Sequence, residues 1–314
     1  MKSLFRASGS PSEAMQKARF SALLKTGANM KIVHRIALVA GTALIALTPA
    51  HASHSWNGYH WAGNGTNLTL RVNTAIASKW SASVTRSISD WNNSTELTLN
   101  SQTAVVDRKK CSPIAGQVLV CNASYGRRGW LGIASIWLQS GTKHITQATT
   151  KLNDSYHDYA PYNQPAWRAL VACQEIGHDW GLDHQDENFN NVNLGTCMDY
   201  TNAPAGGVLN GFNYGPSNQH PNTHDYDELK IIYNHNDGYT TAVQSTNFGI
   251  RQVGKAVPQK PPSEGIGDSP AEWGRAIHTD RQGRPDVFLK DYADGQKALT
   301  HVFWAPGEHP QQGN

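Results

Sequence analysis

Near the middle of the chain stands the run Ala172-Cys173-Gln174-Glu175-Ile176-Gly177-His178-Asp179-Trp180-Gly181-Leu182-Asp183-His184. Gln174 and His178 are four residues apart, so on a helix their side chains lie on one face, with Glu175 beside them. Gly181 permits the left-handed conformation that ends a helix, and His184 can then reach the same point. Two imidazoles and a third polar side chain that converge beside a carboxylate are the layout of a catalytic zinc site.

This run resembles the signature of the metzincin zinc endopeptidases, H-E-x-x-H-x-x-G-x-x-H followed by a Met-turn. Four positions match the pattern, namely Glu175, His178, Gly181 and His184. The sequence Thr196-Cys197-Met198-Asp199-Tyr200 is similar to the Met-turn, whereas Gln174 stands where the family has its first histidine. The resemblance implies an α+β, metzincin-like and specifically matrixin-like catalytic domain, with a twisted mixed sheet, a metal-site helix, the Met-turn and a closing C-terminal helix.

The resemblance also implies a role for each matching residue. A catalytic zinc ion would be held by His178, His184 and Gln174, and Glu175 would act as the general base toward a zinc-activated water. Tyr200 corresponds to a tyrosine that some metzincins direct at the metal or the developing oxyanion, and Met198 to an apolar floor beneath the metal. The substrate is then a peptide or an unfolded protein.

Gln174 leaves three interpretations open. Its amide oxygen can coordinate zinc more weakly than an imidazole, or another side chain such as His220 or His224 can supply the third ligand. The site can also be free of metal. The sequence therefore predicts a secreted zinc metalloendopeptidase, and the alternative is a catalytically impaired peptidase-fold protein that binds peptide or protein ligands without cleaving them. A carbohydrate binder, suggested by the many Trp and Tyr residues, is disfavoured because the tryptophans are spread along predicted strands and helices.

The composition and the first residues indicate export. The net charge of +3 over 314 residues is too small to predict binding to nucleic acid or an anionic membrane. Met30 begins a short basic segment, residues 36–47 are apolar, and Ala50-His51-Ala52 fits a signal-peptidase site. We therefore expect residues 1–52 to be a leader with a signal peptide that starts at Met30. The mature protein is expected to be secreted or extracytoplasmic, with no membrane segment after cleavage.

The four cysteines agree with an oxidising compartment. Cys111 and Cys121 are ten residues apart around a turn, which suits a small disulfide loop. Cys173 directly precedes Gln174 and Cys197 directly precedes Met198, so a bond between them would join the helix to the Met-turn and contribute about 2–4 kcal/mol. Four cysteines allow three pairings, and the sequence does not choose among them.

The remaining pattern divides the mature chain. Residues 53–242 form the predicted catalytic domain, and residues 243–314 a linker with a small β-rich C-terminal extension to which we assign no function. By the resemblance, the strand at residues 130–138 is the expected sheet edge that holds a peptide substrate by main-chain pairing; an ordinary buried strand is the alternative. Calcium binding is possible because Asp154, Asp158, Asp186 and Glu187 lie near predicted loops, but no calcium-binding motif with fixed spacing supports it.

Overall fold

The computed structural model describes residues 53–65, 67–243 and 265–308. The predicted leader and nearly all of the predicted linker lie outside these residues. Within them the chain is a mixed α+β structure dominated by one large sheet. None of the helices in the described part of the chain is long and apolar enough to cross a membrane.

The strands and helices alternate along the first part of the chain and end in a β-rich stretch. The strands are β1 (His60–Trp61), β2 (Leu68–Ala75), β3 (Leu97–Thr103), β4 (Val118–Ala123), β5 (Trp130–Leu138), β6 (His144–Asn153), β7 (Val208–Leu209), β8 (Phe212–Asn213), β9 (Arg275–Thr279), β10 (Pro285–Asp291) and β11 (Lys297–Trp304). The helices are α1 (Ser78–Trp91), α2 (Asp154–His157), α3 (Pro165–His178), α4 (Thr223–Tyr233) and α5 (Pro270–Trp273).

The large sheet has nine strands, in the order β3-β2-β4-β6-β5-β11-β10-β9, with β1 paired to the start of β6. The pairs from β3 to β6 are parallel, and those from β6 through β5 to β9 are antiparallel. A main core lies between the sheet and the helices α1 and α3. A second apolar cluster around Trp130, Trp273 and Trp304 gathers side chains of β5, α5 and the C-terminal strands.

Helix α1 packs one face on the core, because Trp80, Val84, Ile88 and Trp91 recur at helical spacing and are all buried. Helix α3 begins with Pro165, whose missing N–H costs nothing in a first helical turn. It ends at His178, and three residues later Gly181 has φ of 89°. A Cβ at Gly181 would lie 1.9 Å from the Tyr59 carbonyl oxygen, so both the backbone conformation and the space require glycine.

The C-terminal strands change the role expected for β5. Strand β11 pairs antiparallel with β5 at eight positions, from Lys297 opposite Leu138 to Trp304 opposite Trp130. Because β6 occupies the other side, β5 is a central strand with all nine residues buried. The expectation that residues 130–138 form a free edge for peptide binding is therefore wrong for this form of the chain. The nearly continuous apolar run of β5 is typical of a strand that is covered on both faces.

Two disulfides occur in the described residues, Cys111–Cys121 and Cys173–Cys197. The second joins α3 to the predicted Met-turn, next to the predicted metal ligand Gln174. Disulfides of this kind are typical of an extracellular or otherwise oxidising compartment.

Candidate metal centre

The last turn of α3 and the turn at Gly181 bring the predicted site residues into the core. Gln174 and Glu175 are fully buried, and His178 is 1% exposed. Two glycines make this packing possible. A Cβ at Gly132 would lie 2.7 Å from Glu175 Cγ, and one at Gly177 would lie 2.6 Å from Met198 Sδ. The sheet therefore closes against Glu175, and the predicted Met-turn packs directly beneath the end of α3.

Both histidines of the run direct one nitrogen into the site. The Nδ1–H of His178 donates to the Leu182 carbonyl at 2.8 Å, which leaves Nε2 with no hydrogen-bond partner among the described residues. The Nδ1 of His184 lies 3.4 Å from Glu187 Oε1, and the Nε2 of His184 is likewise buried without a partner. An imidazole held through one nitrogen by a carbonyl or carboxylate is the usual arrangement of a metal-binding histidine.

Gln174 is oriented in the same way. Its amide Nε2 donates to the Cys197 carbonyl at 2.7 Å, and its Oε1 is buried with no partner among the described residues. Because a carbonyl can only accept a hydrogen bond, this contact fixes which atom of the amide faces the Met-turn. A buried oxygen without a donor is costly unless something else binds it. Three buried atoms without a partner, Gln174 Oε1, His178 Nε2 and His184 Nε2, are thus of the kinds that can bind a metal ion.

A third histidine reaches the site from the C-terminal strand β11. His301 is 1% exposed, and its ring centre lies 4.0 Å from that of His178 and 4.7 Å from that of His184. One nitrogen from each of these three rings lies within 4.8 Å of the others, so the three can hold a metal ion. The sequence analysis missed His301, since no local pattern connects it to residues 174–184.

His301 contacts both residues that were predicted to be catalytic. Its Nδ1 lies 3.3 Å from Glu175 Oε2, and its Nε2 lies 3.0 Å from the Tyr200 hydroxyl. Tyr200 also stacks on Phe189 with a ring separation of 4.6 Å. Burial raises the pKa of Tyr200 well above its usual range, so the phenol stays protonated and able to donate a hydrogen bond.

The electrostatics keep the site in a state suited to a cation. Burial raises the pKa of Glu175 well above its usual value, and the charge of His184 opposes this. Burial, together with the neighbouring histidines, lowers the pKa of His178 well below its usual value and that of His301 to about 3. Neutral imidazoles are the form in which histidine binds a metal, so binding would not have to displace protons from His178 or His301. The pKa of His184 is raised instead: burial lowers it, but the hydrogen bond to Glu187 and the charge of Asp183 outweigh this effect.

The other proposed third ligands lie elsewhere. His220 pairs with Asp90 at 2.6 Å on the surface, and His224 stacks on His54 with ring centres 4.7 Å apart. Neither belongs to a group of potential metal ligands among the described residues. The same holds for Asp154 and Asp158, which both pair with Lys79, whereas Glu187 belongs to two such groups, one with Asp183 and His184 and the other with His278 and Asp286. Calcium stays an expectation without a motif.

The candidate metal centre is closed on two sides. From the N-terminal lead, the Trp56 ring lies 5.5 Å from that of His178, and the Trp56 N–H donates to the Gly181 carbonyl. From the turn between β9 and β10, Arg281 pairs with Asp186 at 3.3 Å, beside the loop that carries His184. Gln174, Glu175, His178 and His301 are accordingly at most 1% exposed to solvent.

A separate cavity of about 650 Å³ lies along the loop that follows Tyr200. Tyr162 and Trp167 line one side of it, and the β7–β8 hairpin with Tyr214 lines another. Pro306, just after β11, closes one end.

Comparisons with known proteins add little to this description. No protein-family model matches the sequence, and no curated protein matches it. Among solved structures, that of myroilysin, a metalloprotease, aligns at 13% identity with a TM-score of 0.32, covering 58% of this chain and 98% of that chain. A likeness at this TM-score carries no argument, so the functional conclusion depends on the residues themselves. They define a mixed α+β protein with a buried candidate metal centre.

Proposed function

We propose that this protein is a zinc-dependent metallopeptidase whose metal is held by Gln174, His178 and His184. The observation that carries the proposal is the set of three buried donor atoms, one from each residue, that have no hydrogen-bond partner among the described residues. Mixed nitrogen and oxygen donors in three protein positions, with room for a further ligand, are the pattern of a catalytic rather than a structural zinc site.

When bound, zinc would polarise a peptide carbonyl and make a water molecule a better nucleophile near neutral pH. The chain's own residues supply the proton transfers and positioning. Glu175 accepts a proton from the attacking water and returns it to the leaving amine, because its carboxylate adjoins the donor set. Its burial, which raises its pKa, makes the ionised carboxylate a stronger base than an exposed glutamate. The Tyr200 hydroxyl is positioned to donate a hydrogen bond to developing negative charge.

The closed form sets a condition on this activity. His301 occupies the space between Glu175 and Tyr200, and Trp56 covers His178. A peptide can reach Glu175 only after His301 has moved away. We therefore propose that the described conformation is a latent form of the enzyme, in which β11 fills the position beside β5 that the sequence analysis assigned to substrate.

The substrate class is a peptide or an unfolded protein, and the proposed location is outside the cytoplasm. The two disulfides support the location. The cavity along the loop after Tyr200 supports a substrate with side chains to accommodate, since Tyr162, Trp167 and Tyr214 give it aromatic walls.

The second candidate is a non-cleaving peptide-binding protein. The burial of Glu175 beneath His301 favours it, because a permanently closed centre needs no turnover. The two candidates differ in whether zinc-loaded protein ever hydrolyses a peptide bond, and the experiment below separates them.

The test uses zinc-loaded full chain, its His301→Ala variant and fluorescence-quenched unfolded protein substrates. We expect hydrolysis that a chelator abolishes and zinc restores. Glu175→Gln should retain the zinc but lower the rate by about 10²–10⁴-fold, the usual contribution of a general base. If the parent and the His301→Ala variant both bind zinc and neither cleaves any substrate, the peptidase proposal fails and the non-cleaving alternative stands.

A further inference from the structure

A second group of side chains that could bind a metal ion lies at the start of β6, outside the site described above. His60 in β1 faces His144 at the start of β6, with which it pairs in register, and their ring centres are 4.9 Å apart. His235 and Asp237, in the segment after α4, complete the group. Three of its members, His60, His235 and Asp237, offer ligand atoms that all lie within 4.8 Å of one another.

One carboxylate oxygen is the centre of this group. The Oδ1 of Asp237 lies 3.1 Å from His235 Nε2, 3.3 Å from His144 Nε2 and 3.6 Å from His60 Nε2. The Nε2 atoms of His60 and His235 are themselves 3.0 Å apart. Three Nε2 atoms from three separate segments of the chain therefore lie around one carboxylate oxygen, and those of His60 and His235 are also close to each other.

Each of three ligands is held by its other polar atom. The Nδ1–H of His60 donates to the Gly58 carbonyl at 2.8 Å, which leaves the lone pair of Nε2 facing the group. The Nδ1 of His144 bonds to the Tyr239 hydroxyl, which in turn donates to Gln139 Oε1 at 3.0 Å. Since that hydroxyl gives its proton to Gln139, His144 must donate through Nδ1, and its Nε2 also carries a lone pair.

Asp237 follows the same pattern. Its Oδ2 accepts the Gly63 N–H at 2.9 Å, and its Oδ1 is left for the histidines. The Asp237 side chain is 9% exposed and those of His60 and His144 are 10% and 17% exposed, whereas that of His235 is 43% exposed. The three buried side chains, those of His60, His144 and Asp237, are thus held in place by other contacts. The more exposed His235 lies on the side from which an ion can enter.

We propose that His60, His144, His235 and Asp237 form a second, structural zinc site. Three imidazole nitrogens and one carboxylate oxygen are four donors of the type that zinc prefers, and four protein ligands leave no open position for substrate. The hydrogen bonds to Gly58, Tyr239 and Gly63 are the outer contacts that orient such ligands. This site is independent of the proposed peptidase centre and shares no residue with it.

The site would fasten the N-terminal lead to the body of the protein. His60 directly follows Tyr59, whose carbonyl oxygen packs against Gly181, and precedes Trp61, whose indole N–H donates to the Asp179 carbonyl at 2.8 Å. The same lead carries Trp56 over His178. Zinc at this position therefore stabilises the segment that covers the end of α3, and ties it to the chain that follows α4.

The test measures zinc per chain by mass spectrometry on full-length protein after incubation with zinc and removal of loosely bound metal. We expect about two zinc ions per chain in the parent and about one in His178→Ala, which disables the other centre. Adding Asp237→Asn or His235→Ala to His178→Ala should remove the remaining ion. His220→Ala, which alters a surface histidine outside both groups, is the matched control and should leave zinc content unchanged.

Thermal unfolding gives a readout that does not depend on activity. Zinc should raise the Tm of His178→Ala, because a ligand that binds only the folded state stabilises it, and the Asp237→Asn substitution should abolish this increase. Asp237→Asn preserves size and the acceptor for Gly63, and near-ultraviolet circular dichroism verifies that it folds. A different result is expected if only the peptidase centre fails to bind zinc. The parent then holds one zinc ion, and the His178→Ala variant retains it.

Two outcomes would overturn the second site. In the first, the His178→Ala protein binds no zinc and its Tm does not rise when zinc is added. The other is zinc binding that persists undiminished in both the Asp237→Asn and His235→Ala combinations. In either case the group is only a set of hydrogen-bonded histidines around a carboxylate.

Discussion

Glu175 and His301 are 126 residues apart in the sequence, yet Oε2 of the one lies 3.3 Å from Nδ1 of the other in a fully buried contact. His301 therefore occupies one oxygen of the proposed general base, while Glu175 Oε1 has no hydrogen-bond partner among the described residues. The contact joins helix α3 to β11, and in that strand His301 pairs with Ala134 of β5. Release of His301 is thus the step that would turn the closed centre into an active one.

The first prediction concerns His301→Ala. A hydrogen bond to a charged or strongly polar group contributes about 1.5–3 kcal/mol, so its loss should raise the open population, and with it peptide hydrolysis, by roughly 10–100-fold. Lys297→Ala, at the exposed start of the same strand, is the matched control and should leave the rate near that of the parent. Zinc content must be measured in parallel. A variant that loses both zinc and activity would make His301 a required ligand rather than an obstruction.

The second prediction concerns the unusual ligand Gln174. Gln174→Ala removes the buried Oε1 and should weaken zinc binding at this centre by at least about 10–100-fold, the range found even for supporting contacts of metal sites. Gln174→His introduces a stronger donor at the same position and should tighten binding relative to the parent. Chelator competition measures both in the Asp237→Asn background, so that only this centre is observed. Equal affinities in all three proteins would remove Gln174 from the donor set.

The third prediction compares the two disulfides. Replacing Cys173 and Cys197 together by serine should lower the free energy of unfolding by about 2–4 kcal/mol and weaken zinc binding, because the Cys197 carbonyl orients Gln174. Replacing Cys111 and Cys121 is the matched control. It should lower stability without affecting zinc affinity, since that loop lies away from the centre. Identical zinc affinities in both double variants would contradict the proposed coupling.

The parts of the fold that were predicted correctly depend on local sequence. The helix that carries Gln174 and His178 follows from their spacing, and the turn after it follows from the backbone preference of Gly181. The disulfide between Cys173 and Cys197 was one of three possible pairings, and the structure contains it. The assignment of Gln174, Glu175, Tyr200 and the two histidines to catalysis or metal binding stays a prediction.

The parts that were missed depend on contacts distant in sequence. The pairing of β11 with β5 joins residues more than 150 positions apart in the sequence. Neither strand's own sequence indicates which strand it pairs with. The error about the free edge and the omission of His301 have this one cause. The group formed by His60, His144, His235 and Asp237 was missed for the same reason, because three unconnected segments supply it.

The last prediction tests the electrostatics away from both metal sites. His157 is completely buried against Trp80, and burial lowers the pKa of His157 from 6.5 to about 3. The imidazole is therefore neutral in the folded protein, whereas the unfolded chain takes up the proton below about pH 6.5. Its contribution to stability is complete above that pH and is lost as the pH falls toward 3, at up to about 1.4 kcal/mol per pH unit. His157→Gln cannot titrate and should show a shallower decline in the free energy of unfolding between pH 6 and 4. Urea unfolding with chelator present in both proteins measures the two slopes, and parallel slopes would contradict the assigned pKa.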